Sequence, residues 1–408
     1  MVDIPIHTLL ARQGIYNKQS EVCAYELLYR DDNRSVSNVE DSTIDGDRAT
    51  STVITQLFAN LDLDAVIGDK LGFINFTYNH LIQQIPQILP QNRIVVEVLE
   101  NVIIDEALIS SLLSLSNMGY KIALDDFIFT EEILPLIEIA DIIKIDVLGL
   151  DKSQIKSQLA PLTHFRGKLL AEKIEFKEQL NWCAELGFDY FQGFFLNKPD
   201  PLKGQVLTEN KTNLLRLLNE LNDEKVSINR VEEIILQIPK LSYRILQLAN
   251  SVSYYQGRKM ESLLDAINQL GLIQIRNWLC LLLLSSVDEV ALDLLERTLI
   301  RAKMCETLAK TNYYPKPQMA YMVGVLSTLD AILNEPMGSL LNKIQLSDQL
   351  NTALLNHKGD LGQILKYTIA YEEAQFSALE ASTLDISDFA NSYLQGIRYA
   401  RDVMALVK

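Results

Sequence analysis

The sequence predicts two domains of different class: an α/β barrel over residues 1–203 and an all-α domain over residues 204–408. Three observations carry this. Eight short β-rich runs alternate with helical stretches as far as about residue 200. Helical periodicity takes over from about residue 210, and LNKPDPLKG at 196–204, with two prolines and a glycine, marks the junction. At 408 residues the chain exceeds one ordinary domain.

The first two runs, TLLARQGIY and VCAYELLYR, are separated only by NKQSE, a hairpin spacing. LGFINFT, RIVVEVLE, YKIALDDF, IIKIDVL, GKLLAEKIE and DYFQGFFL follow. Between them lie amphipathic segments such as DEALISSLLSLSNMG, apolar at helical spacing and stopped by Gly119 as a C-terminal cap. Apolar strands alternating with helices predict a parallel sheet, and eight such units close a barrel. In the second half, VEEIILQIPKLSYRILQLANSV and SLLDAINQLGLIQIRNWLCLLLL read as helices. Their most apolar stretch, WLCLLLLSSV at 278–287, is about half the length that spans a bilayer and reads as a core helix.

Composition narrows the function classes. A formal charge of −16 argues against a broad nucleic-acid or anionic-membrane surface, so neither DNA nor a membrane is expected as a partner. Cys23, Cys183, Cys280 and Cys305 form no CxxC pair, which points to free thiols in a reducing compartment and away from structural zinc. The opening MVDIPIHTLLARQ lacks a signal-peptide layout, and the expectation is a cytoplasmic protein.

The chemistry lies at the ends of the strands. Glu26, Asn75, Glu97, the pair Asp125 and Asp126, Lys144, Glu172 and Gln192 each interrupt an apolar run near its carboxyl end. In a parallel barrel those ends converge on one rim. Taken singly, each has an ordinary alternative as a solvated loop residue or a helix cap. Together the carboxylates and an amide among them form an all-oxygen donor set suited to Mg2+ or Mn2+. Adjacent carboxylates repel, so a positive charge is expected opposite Asp125 and Asp126, and a pair of metal ions bridged by Asp125 is the reading made here.

These residues resemble the EAL family of cyclic di-GMP phosphodiesterases. ELLYR at 26–30 stands for that family's E-x-L-x-R, VEVLE for E-x-T-E, LDDF for D-D-F-G, IKID for K-I-D, AEKIE for A-E-G-V-E and QGFF for Q-G-Y, in the family's order over residues 5–200. The resemblance implies a modified eight-stranded, TIM-like barrel with one antiparallel strand. It implies Glu26, Asn75, Glu97, Asp125 and Asp126 as metal ligands, completed or supported by Glu172. Lys144, Glu172 and Gln192 would form the catalytic group, Lys144 and Gln192 orienting water and substrate. Arg30 would contact phosphate beside Glu26 and Gln192, and Glu100 and Glu175 would stand behind the metal ligands. The implied reaction is metal-assisted hydrolysis of cyclic di-GMP to pGpG with two Mg2+ or Mn2+ ions.

The chain departs from that pattern in places. The family's D-F-G-T-G-Y-S-S, a loop coupling dimerisation to metal binding, is here Asp126-Phe127-Ile128-Phe129-Thr130-Glu131-Glu132-Ile133, without its glycines. Leu99 replaces a threonine and Lys173 a glycine. In the helical half, residues 244–271 resemble the signature of HDOD domains, relatives of HD-type metallohydrolases. MVGVLSTLD at 322–330 carries Ser327-Thr328 where catalytic relatives have His-Asp, and His357 is the sole histidine beyond residue 200, so no hydrolase is expected there. Asn250-Ser251 and Tyr254-Tyr255 read either as a recognition surface or as a helix end with packed aromatics. The leading reading is a phosphodiesterase with an HDOD module that regulates it or binds a protein partner, with a homodimer as a further option. The alternatives are a barrel that binds cyclic di-GMP without turnover and a scaffold that has lost the nucleotide.

Overall fold

The computed structural model describes residues 8–31, 63–193, 226–236, 263–284, 291–344 and 346–407, with 215–218, 220–221, 245 and 249 between them. The junction at 196–204, most of the HDOD signature with Asn250-Ser251 and Tyr254-Tyr255, and the side chain of Arg30 lie outside the described residues. By packing, the chain divides into two units. One holds Met1–Leu196 with Ala370–Ala381 and Asp385–Ala390, and the other holds Asn197–Ile369, Ser382–Leu384 and Asn391–Lys408.

All eight predicted strands form. They are β1 (Thr8–Tyr16), β2 (Val22–Asp31), β3 (Leu71–Phe76), β4 (Ile94–Val98), β5 (Lys121–Leu124), β6 (Ile142–Asp146), β7 (Lys168–Ile174) and β8 (Tyr190–Gly193), closed into a barrel in sequence order. The first strand runs antiparallel to both neighbours, and all other pairings are parallel. Helices α1 (Leu63–Ile67), α2 (Tyr78–Ile82), α3 (Glu106–Asn117), α4 (Leu134–Ile139), α5 (Lys152–Leu159) and α6 (Lys177–Glu185) lie between strands. The α3 segment starts on Asp105, whose carboxylate accepts from the Leu108 N–H at 2.9 Å, and ends before Gly119 at φ 95°, the left-handed turn expected of it.

Strand alternation explains what the barrel encloses. One buried cluster takes a single residue from each of seven strands: Ile15, Ala24, Phe73, Val95, Ala123, Ile142 and Leu170, with Tyr190 of the eighth packed against it. This apolar layer fills the bore, as inward-facing branched residues do in such barrels. Among the described residues the β1–β8 seam sets Ile15 opposite Gln192 and Tyr16 opposite Phe191. Across β7–β8 the register shifts between Ala171 and Ile174, so β7 carries a bulge. Gly193, at φ 146°, faces that bulge, where a Cβ would come within 2.2 Å of the Ile174 carbonyl oxygen.

The barrel unit is completed from far along the chain. The Tyr371 hydroxyl donates to the Leu10 carbonyl at 2.9 Å and accepts from the Leu10 N–H at 3.3 Å, pairing both backbone groups of this β1 residue. Its ring stacks on Phe389 and meets Phe376 edge-on. Tyr371→Phe leaves both backbone groups of a buried residue unpaired, and a loss of about 2 kcal/mol is expected, read as a lower midpoint in chemical denaturation.

The second unit is helical in every described element outside single turns. These are α7 (Ile228–Leu236), α8 (Leu263–Leu270), α9 (Leu272–Leu284), α10 (Leu292–Thr311), α11 (Pro317–Leu326), α12 (Leu329–Leu333), α13 (Met337–Lys343), α14 (Asp348–Asn356), α15 (Gly359–Glu372) and α16 (Ile386–Val407), the last two shared with the return segments. WLCLLLL falls in α9 with Trp278, Leu279, Cys280 and Leu283 buried, and no described helix is long and apolar enough to cross a membrane. At the position of the His-Asp pair, Thr328 is buried with its hydroxyl 2.8 Å from that of Thr298. Ser327 accepts from the Arg301 guanidinium at 3.1 Å. Hydroxyls at this spot bond within the helix packing.

Candidate active site

The apolar layer locates the site by arithmetic. In a strand, residues two apart face the same side. Two positions beyond each layer residue stand Glu26, Asn75, Glu97, Asp125, Lys144, Glu172 and Gln192. Because β1 runs the other way, its counterpart lies two positions earlier, at Gln13. Eight strands therefore contribute eight polar side chains to one ring above the apolar layer.

At the centre is Lys144, 0% exposed. Its Nζ lies 2.5 Å from Glu97 Oε1, 2.7 Å from Asp125 Oδ1, 2.8 Å from Glu172 Oε1 and 3.6 Å from Glu26 Oε1. The positive charge expected opposite Asp125 is thus, in the first place, a lysine of the chain itself. A ring of carboxylates converging on one ammonium answers part of the repulsion that the sequence reading assigned wholly to metal ions.

Amides complete the ring. Gln192 Nε2 donates to Glu26 Oε2 at 2.5 Å and to Gln13 Oε1 at 3.1 Å, and Asn75 Nδ2 reaches Glu26 Oε1 at 3.3 Å. The Gln192 carbonyl oxygen is buried with no hydrogen-bond partner among the described residues.

Burial pushes Glu97 well above the usual carboxylate range, Lys144 pulls it down, and Glu26 and Asp125 push it up again. Glu172 is pushed up to about 8, again by burial first, with Asp125 and Glu26 adding to it against Lys144. Burial alone would lower the Lys144 ammonium, but Glu26, Glu97, Glu172 and Asp125 outweigh it and hold it well above the ordinary lysine value. The carboxylates outnumber the cation, and the surplus raises their affinity for protons or for metal.

On the rim, oxygens of Asp125, Asp126 and Glu172 all lie within 4.8 Å of one another, a spacing that fits a shared divalent ion. Asp126 steps out of the strand at φ 39°. Beside it, Lys173 Nζ is 2.6 Å from Asp146 Oδ2 and 3.7 Å from Asp126 Oδ1. The donor set is all oxygen, partly buried and net negative, and it suits a hard divalent cation.

The structure brings together Glu26, Asn75, Glu97, Asp125, Asp126, Lys144, Glu172 and Gln192. Arg30 lies in β2 opposite Leu9. Glu100 is exposed beyond β4 and Glu175 is half-buried after β7, its N–H donating to Gln179 Oε1 at 3.1 Å; both lie past the ends of the strands that carry the ring. Gln13 is the residue that reading strand ends missed. Its signal was present in the hairpin, which reverses β1 and puts its rim residue before the apolar one.

Comparison with known proteins matches both domains and finds full-length relatives. The EAL domain model matches residues 48–199, beginning after β2, and the HDOD domain model matches 207–357. The uncharacterized protein YuxH of Bacillus subtilis is 31% identical over 98% of this chain and 99% of its own length. The cyclic di-GMP phosphodiesterase CdgJ of Vibrio cholerae is 30% identical over 98% of this chain and 94% of its own. Among solved structures, the PaMucR phosphodiesterase in complex with c-di-GMP is 21% identical with a TM-score of 0.40, over 48% of this chain and 98% of its own. With an eight-stranded barrel, a helical second half and full-length relatives at this identity, the chain belongs to the family of proteins that join an EAL domain to an HDOD domain.

Proposed function

We propose that the barrel hydrolyses cyclic di-GMP, opening one phosphodiester to give linear pGpG with Mg2+ or Mn2+. The observation that carries this is the ring: five carboxylates (Glu26, Glu97, Asp125, Asp126 and Glu172) gathered at one mouth against two lysines. The full-length relationship to CdgJ, named a cyclic di-GMP phosphodiesterase, supports the substrate.

Glu26, Asn75, Glu97 and Asp125 would hold one ion and Asp125, Asp126 and Glu172 a second, Asp125 serving both. Bound there, divalent ions lower the pKa of a coordinated water and neutralise charge on the attacking and leaving oxygens. The chain supplies the rest. Lys144, protonated and enclosed by its carboxylates, would hold Glu97, Asp125 and Glu172 in place and set a positive charge beneath the point where negative charge grows on the phosphate. Gln192 holds Glu26 in place through its amide N–H and keeps a carbonyl acceptor for a water proton. Arg30, two turns of strand alternation beyond Glu26, is assigned to a phosphate oxygen of the nucleotide.

We assign residues 1–203 to this chemistry and 204–408 to a regulatory HDOD module that engages a protein partner. The four cysteines, none in a disulfide, fit a cytoplasmic setting. The full chain incubated with c-di-GMP and Mg2+ or Mn2+ is expected to release pGpG, resolved by anion-exchange chromatography, and EDTA is expected to stop it. Saturable binding without product under either metal would overturn hydrolysis and leave a sensor.

A further inference from the structure

Lys173 stands where nothing in a strand requires a lysine. It sits in the β7 bulge at φ 56°, a left-handed conformation that costs a residue with a Cβ about 1 kcal/mol. The strain is local and chosen, because its neighbours Glu172 and Ile174 are buried while Lys173 itself is exposed. The conformation carries its Nζ back over the rim to 2.6 Å from Asp146 and 3.7 Å from Asp126. Asp126 is one corner of the Asp125–Asp126–Glu172 triad, so the ammonium flanks the place where a cation would sit on the solvent side of the ring. Backbone strain kept at a rim of clustered charge is the kind of outlier that licenses a functional inference.

We propose that Lys173 is a tethered counter-ion that weakens, and so sets, the affinity of the rim triad for its divalent ion. The proposal rests on the metal reading given under Proposed function. Asp146 holds the ammonium at its closer contact, and Asp146 itself is fixed by accepting from the Leu148 N–H at 2.8 Å. The charge therefore stays near Asp126 whether or not an ion is bound. A +1 and a +2 charge about 5 Å apart repel even through water, and at a half-exposed rim that repulsion is worth roughly a tenfold loss of affinity. Lys144, in the floor of the ring, is enclosed by four carboxylates, Asp125 and Glu172 of the triad among them. Lys173 reaches the triad from the solvent side, through Asp126.

The test is Mn2+ binding to the full chain without nucleotide, followed by calorimetry and by the EPR signal of free Mn2+. Lys173→Met removes the charge and keeps the length, Lys173→Gly also removes the strain, and Lys173→Arg keeps the charge. The Met and Gly variants are expected to bind one class of Mn2+ about tenfold more tightly than the parent, with Arg unchanged. The gap should narrow as salt rises, because the group is exposed to solvent. Equal affinity in parent, Met and Gly proteins overturns the role of Lys173 and leaves the metal site standing. No saturable Mn2+ binding in any of the four overturns the metal reading, and this proposal falls with it.

Discussion

Lys144→Met is expected to lower the melting temperature of the metal-free protein by roughly 10 °C. Removing one partner from a buried ionic cluster costs about 3–5 kcal/mol, because the other charges stay behind unpaired. In a barrel of this size each kcal/mol corresponds to roughly 2–4 °C. Here Glu97 is 0% exposed and Glu172 only 7%, so water cannot replace the ammonium cheaply. Methionine is close to lysine in volume, so lost packing contributes little. Millimolar Mg2+ or Mn2+ should recover much of the loss, since a ligand that binds only the folded state stabilises it. Differential scanning fluorimetry in EDTA and then in metal reads both effects. An unchanged melting temperature in EDTA would mean that the ring is not held by its lysine.

The second large effect is on turnover. Glu26→Ala removes a carboxylate that accepts from Gln192 at 2.5 Å and from Asn75 at 3.3 Å, so one substitution strips the proposed inner ion of a ligand and releases two amides. A fall in c-di-GMP hydrolysis of about 10^2- to 10^3-fold is expected, the range for losing one fixed electrostatic stabiliser. Initial rates of pGpG release at saturating metal give the measurement. Activity within a factor of three of the parent would remove Glu26 from the proposed chemistry. The two variants separate the roles of the ring, Lys144 being mainly a matter of holding it together and Glu26 of using it.

Most of this site was legible in the sequence because the strands are short and their inward positions alternate strictly. An apolar residue followed two places later by a polar one, as in Ala24 and Glu26 or Val95 and Glu97, is the trace of a filled bore with a polar mouth. The rule failed where direction or regularity changed. Gln13 precedes its apolar partner because β1 is reversed, and Lys173 lies in a bulge that alternation does not anticipate. That Lys144 would be the shared partner of four acids depends on the stagger of strands around the barrel, which no single run of residues encodes. The clasp of Tyr371 on Leu10 joins positions 361 residues apart, and only folding brings such a pair to notice.

The short seams of this cylinder have a cost for durability. Among the described residues, five facing pairs join β3 to β4, but two join β1 to β8 and two join β5 to β6. Gln192 lies in the first of these short seams, and the second runs from Leu124 straight into Asp125. Partial opening of a protein starts where the fewest contacts hold. Opening either seam would pull a ring residue, Gln192 or Asp125, away from its partners while the longer ladders stay zipped. Heat or denaturant would then silence the mouth of the barrel before it melts the wall.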